Sequence, residues 1–318
     1  MPEIEKIALT LQSIFAYGRK MKHIYKPLST MLLSLLLIAC NGSETAPEAV
    51  SRKKTQAEDL NTINVAVMPT LDCLPLYVAE ASDMFSRNGL SVNLMTYTSQ
   101  MDCDTAIQRG WAGVSVSDKI RADRMAAAGT ELQYLFFTDT YWQLIANSRS
   151  RIHETSQLGN KMVAITRHSA TDTYATMLIG RAMAKADIFK VQVNDVSIRL
   201  KMLQNNSVDA AMLTEPYATI ARRNGHNVLA DSRNDGLRYG VFVAAEQFAR
   251  QAAYRQKLDK MKEIYDLASD SVRKYGYLHY KDILRDKYRL TEGNIKMLEK
   301  DLRHKTNDKK YNDDYGRI

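Results

Sequence analysis

Short apolar runs alternate with amphipathic segments from Ile63 onward, and this alternation predicts strands and helices in turn. Strands are predicted at 63–68, 92–97 and 113–117, and helices at 75–87, 104–109 and 119–128. Asp118 stands directly before the third helix, where an aspartate caps free backbone N–H groups. Strands joined by helices favour a parallel sheet, because a parallel connection needs a crossover segment.

A second cycle of the same kind begins near Asn147. Its predicted strands are 161–165, 191–196 and 209–213, and its helices begin at Ser169, Leu200 and Pro216. Further strand signals at 227–230 and 239–244 lead into a run of helices from Glu246. The pattern therefore predicts two similar α/β lobes followed by a helical C-terminal end.

The stretch from Met21 to Cys40 has a basic start and a short apolar run over 31–39. That run is too short to cross a bilayer but suits the hydrophobic region of a secretory signal. Leu37-Ile38-Ala39-Cys40 resembles a bacterial lipobox, whose cysteine receives lipid and becomes the mature N-terminus. We expect a lipoprotein signal over 1–39 with its true start at Met21, a lipidated Cys40 and a polar tether over 40–61. The alternative is a cysteine that follows a buried helix by chance.

The chain has 318 residues, of which 45% are hydrophobic and 25% charged, so it is long enough for two packing units of ordinary globular composition. Removal of residues 1–39 takes away five of the 44 basic and two of the 36 acidic residues, which lowers the net charge from +8 to +5. The remaining basic surplus lies largely beyond residue 250, interleaved with acidic residues. This pattern is typical of a solvated helix face, and it argues against a nucleic-acid partner.

Three cysteines are too few for a disulfide scaffold, and the sequence has no CxxC or HxxxH pair to suggest a clustered metal site. Cys73 and Cys103 fall in neighbouring predicted loops, each directly after an aspartate. In an exported protein a disulfide between them would close a 31-residue loop. It would stabilise the fold by about 3–4 kcal/mol in the chain-entropy model. We predict this disulfide, with free thiols or a Cys-Asp metal site as the alternatives.

Polar residues follow the predicted strands where their carboxyl ends meet, which is the usual ligand position in open parallel sheets. The predicted ligand-binding residues are Thr70, Asp72, Gln100, Asp102, Asp118, Tyr141, Trp142, Arg167, His168, Ser169, Thr214 and Glu215.

The acidic members of this set argue against a small inorganic anion. Asp72, Asp102, Asp118 and Glu215 would repel nitrate and suit a ligand with amino or ring N–H donors, such as an aminopyrimidine. Each aspartate has the alternative role of a helix cap, and Glu215 that of a salt-bridge partner for an arginine.

Other predicted ligand-binding residues also have two possible roles. Ser169 begins a helix and either binds an anionic group there or caps its own helix. Arg167 and His168 either add an anion contact or are simply solvated. Tyr141 and Trp142 either stack on a planar ligand or pack the lobes.

Two segments resemble the nitrate/sulfonate/taurine and thiamine-precursor branch of periplasmic substrate-binding proteins. One is LPLYVAEASDMFSRNGLSV over 74–92, and the other is SVDAAMLTEPYATIARRNGHNVL over 207–229. Ser82 departs from the glycine that the family often has at that position, and the similarity runs from about Ile63 to Tyr275.

The resemblance implies a two-lobed, type II periplasmic-binding-protein fold of class α/β. Lobe 1 would comprise 62–146 with 238–318, and lobe 2 would comprise 147–237, with crossovers near Asn147 and Arg238. The lobes would close like a hinge on a small ligand. The protein would then deliver that ligand to the permease of an ABC importer.

We therefore expect an exported, lipid-anchored monomer on the periplasmic side that has no catalytic residues, metal or cofactor and binds a thiamine-precursor-like aminopyrimidine. Alkanesulfonates or other organic anions are the alternative ligands. A pyrimidine-synthase-like enzyme or a lipoprotein sensor are the alternative functions. The export signal and the lack of a cysteine-rich iron motif argue against the enzyme.

Overall fold

Two five-stranded sheets form the centre of the structure, a computed structural model that describes residues 60–182 and 186–302. The predicted lipoprotein signal, Cys40, the tether up to residue 59 and the polar tail from residue 303 lie outside the described residues. The strands are β1 (Thr62–Val67), β2 (Ser91–Thr96), β3 (Val114–Asp118), β4 (Leu132–Phe137), β5 (Gln143–Ala146), β6 (Met162–Ile165), β7 (Phe189–Gln192), β8 (Ala210–Leu213), β9 (Asn227–Asp231) and β10 (Gly240–Ala245).

The two sheets have the same arrangement. The first has the order β2-β1-β3-β10-β4 and the second the order β7-β6-β8-β5-β9. In each sheet the first three strands are parallel, and the fourth is antiparallel and comes from the other part of the chain. Strands β3 and β10 are buried along their whole length, and in β10 this burial explains the nearly continuous apolar run. The predicted two-lobed α/β fold is confirmed.

The helices lie between the strands and then follow the last one. They are α1 (Leu74–Ala81), α2 (Met84–Arg87), α3 (Gln100–Gln108), α4 (Lys119–Ala127), α5 (Ala170–Ala182), α6 (Val196–Gln204), α7 (Tyr217–Arg223), α8 (Glu246–Ala249), α9 (Ala252–Tyr275), α10 (Lys281–Asp286) and α11 (Glu292–Leu302). Short 3₁₀ turns occur at Leu71–Cys73, Ser148–Ser150, Thr155–Leu158 and Tyr277–Tyr280. Among the described residues, no helix is both long and apolar enough to cross a membrane.

The first connection between the lobes lies earlier than the sequence predicted. Strands β4 and β5 were not predicted, and β5 pairs with β8 and β9 in the second sheet. The connection is therefore 138–142, and 143–146 belong to lobe 2 instead of lobe 1. The second connection, 232–239, contains Arg238. Because β5 has only four residues, its sheet is decided by its distant partners and not by its own pattern.

Two predicted elements differ for local reasons. The helix predicted at 75–87 is divided into α1 and α2, since Asp83 has the left-handed φ of 52°. The strand predicted at 191–196 ends at Gln192, because the Asp195 carboxylate accepts from the N–H groups of Ser197 and Ile198 and so starts α6.

The C-terminal helices are tied to both lobes. Helix α9 buries a stripe that includes Tyr254, Leu258, Met261 and Tyr265, as expected for an amphipathic helix on a core. The Tyr265 hydroxyl donates to the Asp72 carbonyl at 2.9 Å, and the Tyr288 hydroxyl donates to the Thr70 carbonyl at 2.8 Å. Helix α11 instead reaches α7 of lobe 2, where Asp301 pairs with Arg222 at 2.5 Å. The C-terminal segment assigned to lobe 1 therefore contacts lobe 2 as well.

The end of α9 gives a stability prediction. Gly276 has φ 79°, and a Cβ there would lie 2.6 Å from Glu299 Oε1. That carboxylate accepts from the N–H groups of Tyr277 and Leu278. We expect Gly276→Ala to lower the free energy of unfolding by about 1–3 kcal/mol in urea titrations, because the backbone is strained and the carboxylate is displaced.

Gly180 provides the matched control, since it is exposed within α5 and a Cβ there would meet no atom within 4 Å. Gly180→Ala should leave the free energy of unfolding unchanged or raise it by up to about 1 kcal/mol. Equal effects of the two substitutions would contradict this account of Gly276.

Candidate functional site

The cleft between the lobes contains two adjoining cavities at the carboxyl ends of the strands. One, here called the polar cavity, has a volume of about 50 Å³ and lies between Gln100, Ser117 and Asp118 of lobe 1 and Thr166, Ser169 and Arg199 of lobe 2. The other, the aromatic cavity, has a volume of about 230 Å³ and is lined by Tyr141, Glu215, Arg233, Tyr265, Arg273 and Tyr277. Asp72, Thr140 and Thr214 line both cavities and therefore lie at their boundary.

Most of the predicted ligand-binding residues line these cavities. Those in the polar cavity are Thr70, Asp72, Gln100, Asp118, Trp142, Ser169 and Thr214. Those in the aromatic cavity are Asp72, Tyr141, Thr214 and Glu215. Asp102, Arg167 and His168 line neither of them.

Asp118 joins the two lobes through one carboxylate oxygen. Its Oδ1 accepts from Arg121 N at 3.0 Å, which caps α4 as predicted, and from Ala170 N at 3.0 Å at the start of α5 in lobe 2. Burial raises the pKa of Asp118 to about 7, although both N–H groups favour the charged form. A helix N-terminus attracts anions, so this end of α5 is already occupied by a carboxylate of the protein itself.

Asp72 has an unused acceptor. Its Oδ2 accepts from Thr138 Oγ1 at 3.3 Å, whereas Oδ1 is buried without a hydrogen-bond partner among the described residues. Tyr265 holds the backbone of Asp72, and the preceding Leu71 donates its N–H to the Glu215 carbonyl of lobe 2 at 3.2 Å. A buried carboxylate oxygen without a donor is costly and points to a donor on a ligand.

Glu215 is fully engaged with protein groups. Its carboxylate pairs with Arg222 at 2.7 Å, accepts from Thr219 N at 2.9 Å and accepts from the Tyr141 hydroxyl. Arg222 in turn pairs with Asp301 of α11. Glu215 is 4% exposed. Its contacts match the alternative role of a salt-bridge partner for an arginine, in which Glu215 positions the loop after β8.

Several other predicted residues hold local structure. Ser169 donates to the Thr166 carbonyl at 2.6 Å and accepts from Thr171 N at 3.1 Å, at the start of its own helix. Asp102 is exposed and accepts from Ser99 Oγ at 2.7 Å in a reciprocal cap of α3.

Arg167 and His168 are exposed, and the contacts they make use their backbone atoms. Arg121 Nη1 donates to the Arg167 carbonyl at 3.3 Å, and His168 N donates to Asp172 Oδ2 at 2.8 Å. Neither residue lines a cleft cavity.

Aromatic residues stand at the first connection. The guanidinium of Arg233 lies 3.7 Å from the centroid of the Tyr141 ring, so one face of that ring is covered. Trp142 is buried, lines the polar cavity and lies 6.4 Å from the Tyr239 ring. Gln100 lines the same cavity, but its amide N–H groups donate to the Val116 carbonyl and to Asp104.

Arg199 is a cavity residue that the sequence analysis missed. It is 5% exposed, its Nη1 donates to the Met212 carbonyl at 2.7 Å, and its Nε has no partner among the described residues. Burial lowers its pKa to about 10, so it stays charged at neutral pH. The sequence signal that could have identified Arg199 is its place in a segment with the apolar residues Val196, Leu200 and Leu203, which are buried in the structure.

The predicted disulfide is wrong, because Cys73 and Cys103 are both free thiols in the core. Cys73 Sγ accepts from Thr70 Oγ1 at 3.8 Å, and Cys103 Sγ donates to the Val67 carbonyl at 3.9 Å. Burial raises the pKa of both thiols well above the usual value for cysteine. They pack as small apolar side chains. Within 60–182 and 186–302, no three His, Cys, Asp or Glu side chains form a metal-binding group.

Solved structures with the same fold are periplasmic binding proteins. The alkanesulfonate-binding protein SsuA from Xanthomonas axonopodis pv. citri bound to MOPS is 16% identical, with a TM-score of 0.58 over 76% of this chain and 78% of that one. The aliphatic sulphonate binding protein SsuA from Escherichia coli is 16% identical, with a TM-score of 0.61 over 74% and 77%. The nitrate-binding protein NrtA from Synechocystis PCC 6803 is 10% identical, with a TM-score of 0.63 over 76% and 69%.

At these identities the structural likeness shows the fold alone. No curated protein sequence matches the chain significantly. Residues 70–273, which include every residue that lines the two cleft cavities except Met68, Tyr277 and Leu302, match the family model described as NMT1/THI5 like. The chain therefore belongs to the NMT1/THI5-like family.

Proposed function

We propose that the protein is a non-enzymatic solute-binding component of an ABC importer. It is exported, anchored to the cell envelope through a lipid on Cys40, and closes its two lobes on a small ligand that carries amino or ring N–H donors. A thiamine-precursor-like aminopyrimidine is the ligand class that we favour. The family and the fold of the periplasmic binding proteins support the transport role.

The contacts across the cleft support a hinge-closing mechanism. Asp118 of lobe 1 accepts from Ala170 N of lobe 2, and Arg121 of lobe 1 donates to the Arg167 carbonyl of lobe 2. Only the two connections 138–142 and 232–239 join the sheets within the described chain. Such an arrangement allows the lobes to separate and close as units.

The Asp72 carboxylate is the observation on which the ligand class rests. Its unpartnered Oδ1 is an acceptor at the boundary of the two cavities, next to the tyrosine-lined cavity. Asp118 adds a second carboxylate to the polar cavity, and it occupies the α5 N-terminus, where a small anion would otherwise bind. A neutral or cationic ring with N–H donors suits this site better than nitrate does.

An organic anion is the second candidate ligand, and Arg199 is the observation that favours it. The cation is buried in the polar cavity with a free Nε donor. A sulfonate or carboxylate group would satisfy it.

Calorimetric titration of the purified protein tests the ligand class. We expect 4-amino-5-hydroxymethyl-2-methylpyrimidine to bind, and ethanesulfonate and nitrate to bind at least about tenfold more weakly. Asp72→Asn should weaken binding of the pyrimidine by about 10- to 100-fold, because an amide replaces the charged acceptor.

Asp102→Asn is the matched control, since Asp102 is an exposed aspartate outside both cavities. It should leave affinity unchanged. Binding of nitrate or ethanesulfonate alone would sink the aminopyrimidine proposal.

Asp118 gives a pH prediction. Its folded-state pKa of about 7 lies above the unfolded value near 3.9, so the folded state retains a proton that the unfolded state has lost between these values. The stability from this group is full below about pH 4 and is lost as the pH rises through about 7.

Urea unfolding at pH 4.5 and 7.5 measures this contribution. On going from pH 4.5 to pH 7.5, the free energy of unfolding of the wild type should fall relative to that of Asp118→Asn by on the order of 2 kcal/mol. The same pH dependence in both proteins would show that Asp118 does not titrate in this interval.

Metabolic labelling with palmitate tests the anchor. In a bacterial host the wild-type protein and the control Ser43→Ala should incorporate the label, and Cys40→Ala should not, because the lipid is attached to the cysteine thiol. Label that survives in Cys40→Ala would refute the anchoring proposal.

A further inference from the structure

Arg199 is a buried cation whose desolvation outweighs the favourable charge of the Asp195 carboxylate, so that the pKa of the guanidinium is lowered. It takes part in no ion pair there, its side chain is 5% exposed, and its Nε is buried without an acceptor. The one side-chain hydrogen bond it makes there goes to a neutral carbonyl, that of Met212. An uncompensated buried charge costs several kcal/mol and is seldom kept without a binding partner.

The nearest acidic group along the helix is already committed. Asp195 precedes α6, and its Oδ1 accepts from Ser197 N, Ser197 Oγ and Ile198 N. These bonds fix the carboxylate at the start of the helix, one turn before Arg199. Asp118, which lines the same cavity, is likewise engaged by Arg121 N and Ala170 N.

The polar cavity therefore presents two unsatisfied groups of opposite sign. Arg199 Nε is a cationic donor from lobe 2, and Asp72 Oδ1 is an anionic acceptor from lobe 1. The lining of the same cavity also offers hydroxyl groups such as those of Thr70, Thr166 and Thr214, which serve either kind of partner.

We infer that the ligand is amphoteric, with an anionic oxygen group bound by Arg199 and an amino or ring N–H group bound by Asp72. The inference rests on the proposed solute-binding function and narrows its ligand class. Arg199 is then a specificity-determining residue, because it favours ligands that carry a carboxylate, sulfonate or phosphate group. Because the two charges come from different lobes, such a ligand links the lobes and stabilises closure.

Calorimetry with matched probes tests the inference. The ring probes are 4-amino-5-hydroxymethyl-2-methylpyrimidine, its phosphate ester and the corresponding 5-carboxylate. The aliphatic probes are ethylamine, ethanesulfonate and 2-aminoethanesulfonate. We expect each probe that carries both groups to bind at least about tenfold more tightly than its partner with only one. The preferred acid identifies which anionic group the protein selects.

Variants assign this preference to Arg199. Arg199→Gln should weaken the amphoteric probes by about 10- to 100-fold and so remove their advantage over the neutral pyrimidine, whereas Arg199→Lys should restore part of that advantage. Lys201→Gln is the control, because it removes an exposed charge from the same helix.

The outcomes separate the two proposals. If the neutral pyrimidine binds wild-type protein as tightly as its acidic derivatives, the protein binds a solute but the amphoteric inference is overturned. If none of the probes binds, the proposed ligand class and the inference that rests on it both fall. Both of these readouts use the wild-type protein and do not depend on the folding of a variant.

Discussion

The buried carboxylate of Glu215 is the point on which the arrangement of the cleft depends. It pairs with Arg222, which pairs with Asp301 of the C-terminal helix α11, and it accepts from the Tyr141 hydroxyl of the first connection. The Glu215 carbonyl also receives the N–H of Leu71 from lobe 1. A buried ion pair adds little net stability, but removing one partner costs about 3–5 kcal/mol because the other charge is stranded. The network therefore fixes how the lobes, their connection and the C-terminal end meet.

The charged residues of the cleft beside this network fall into two groups: those that are satisfied by hydrogen bonds within the protein, and those that keep one unpaired polar atom. Glu215 and Asp118 are saturated by protein donors and set the geometry. Asp72 and Arg199 each keep one buried polar atom without a protein partner, and both line the polar cavity. A cavity that contains an unpaired carboxylate oxygen and an unpaired guanidinium nitrogen favours ligands that carry both an N–H donor and an anionic group. A ligand with only one of these groups leaves the other protein charge unpaired.

Local rules account for what the sequence by itself determined. Apolar periodicity located most strands, because it reports which backbone segments are buried. Asp118 precedes α4 as predicted, since an aspartate oxygen satisfies free N–H groups within one turn. The position of polar loops after the strands predicted the edge of the sheets at which the cavities lie. The short strand β5 escaped these rules, and with it the true position of the first connection.

The tertiary structure decided which of those polar groups are free to bind a ligand. Whether Glu215 faces a ligand or Tyr141, whether Asp118 reaches Ala170, and whether Cys73 meets Cys103 all depend on contacts between segments that are distant in the chain. The sequence marks Arg199 only as an arginine among apolar positions, because its missing partner is a property of the packed cavity. Periodicity and capping signals extend over a turn or a strand, whereas the pairing of buried charges is settled only when the lobes pack together.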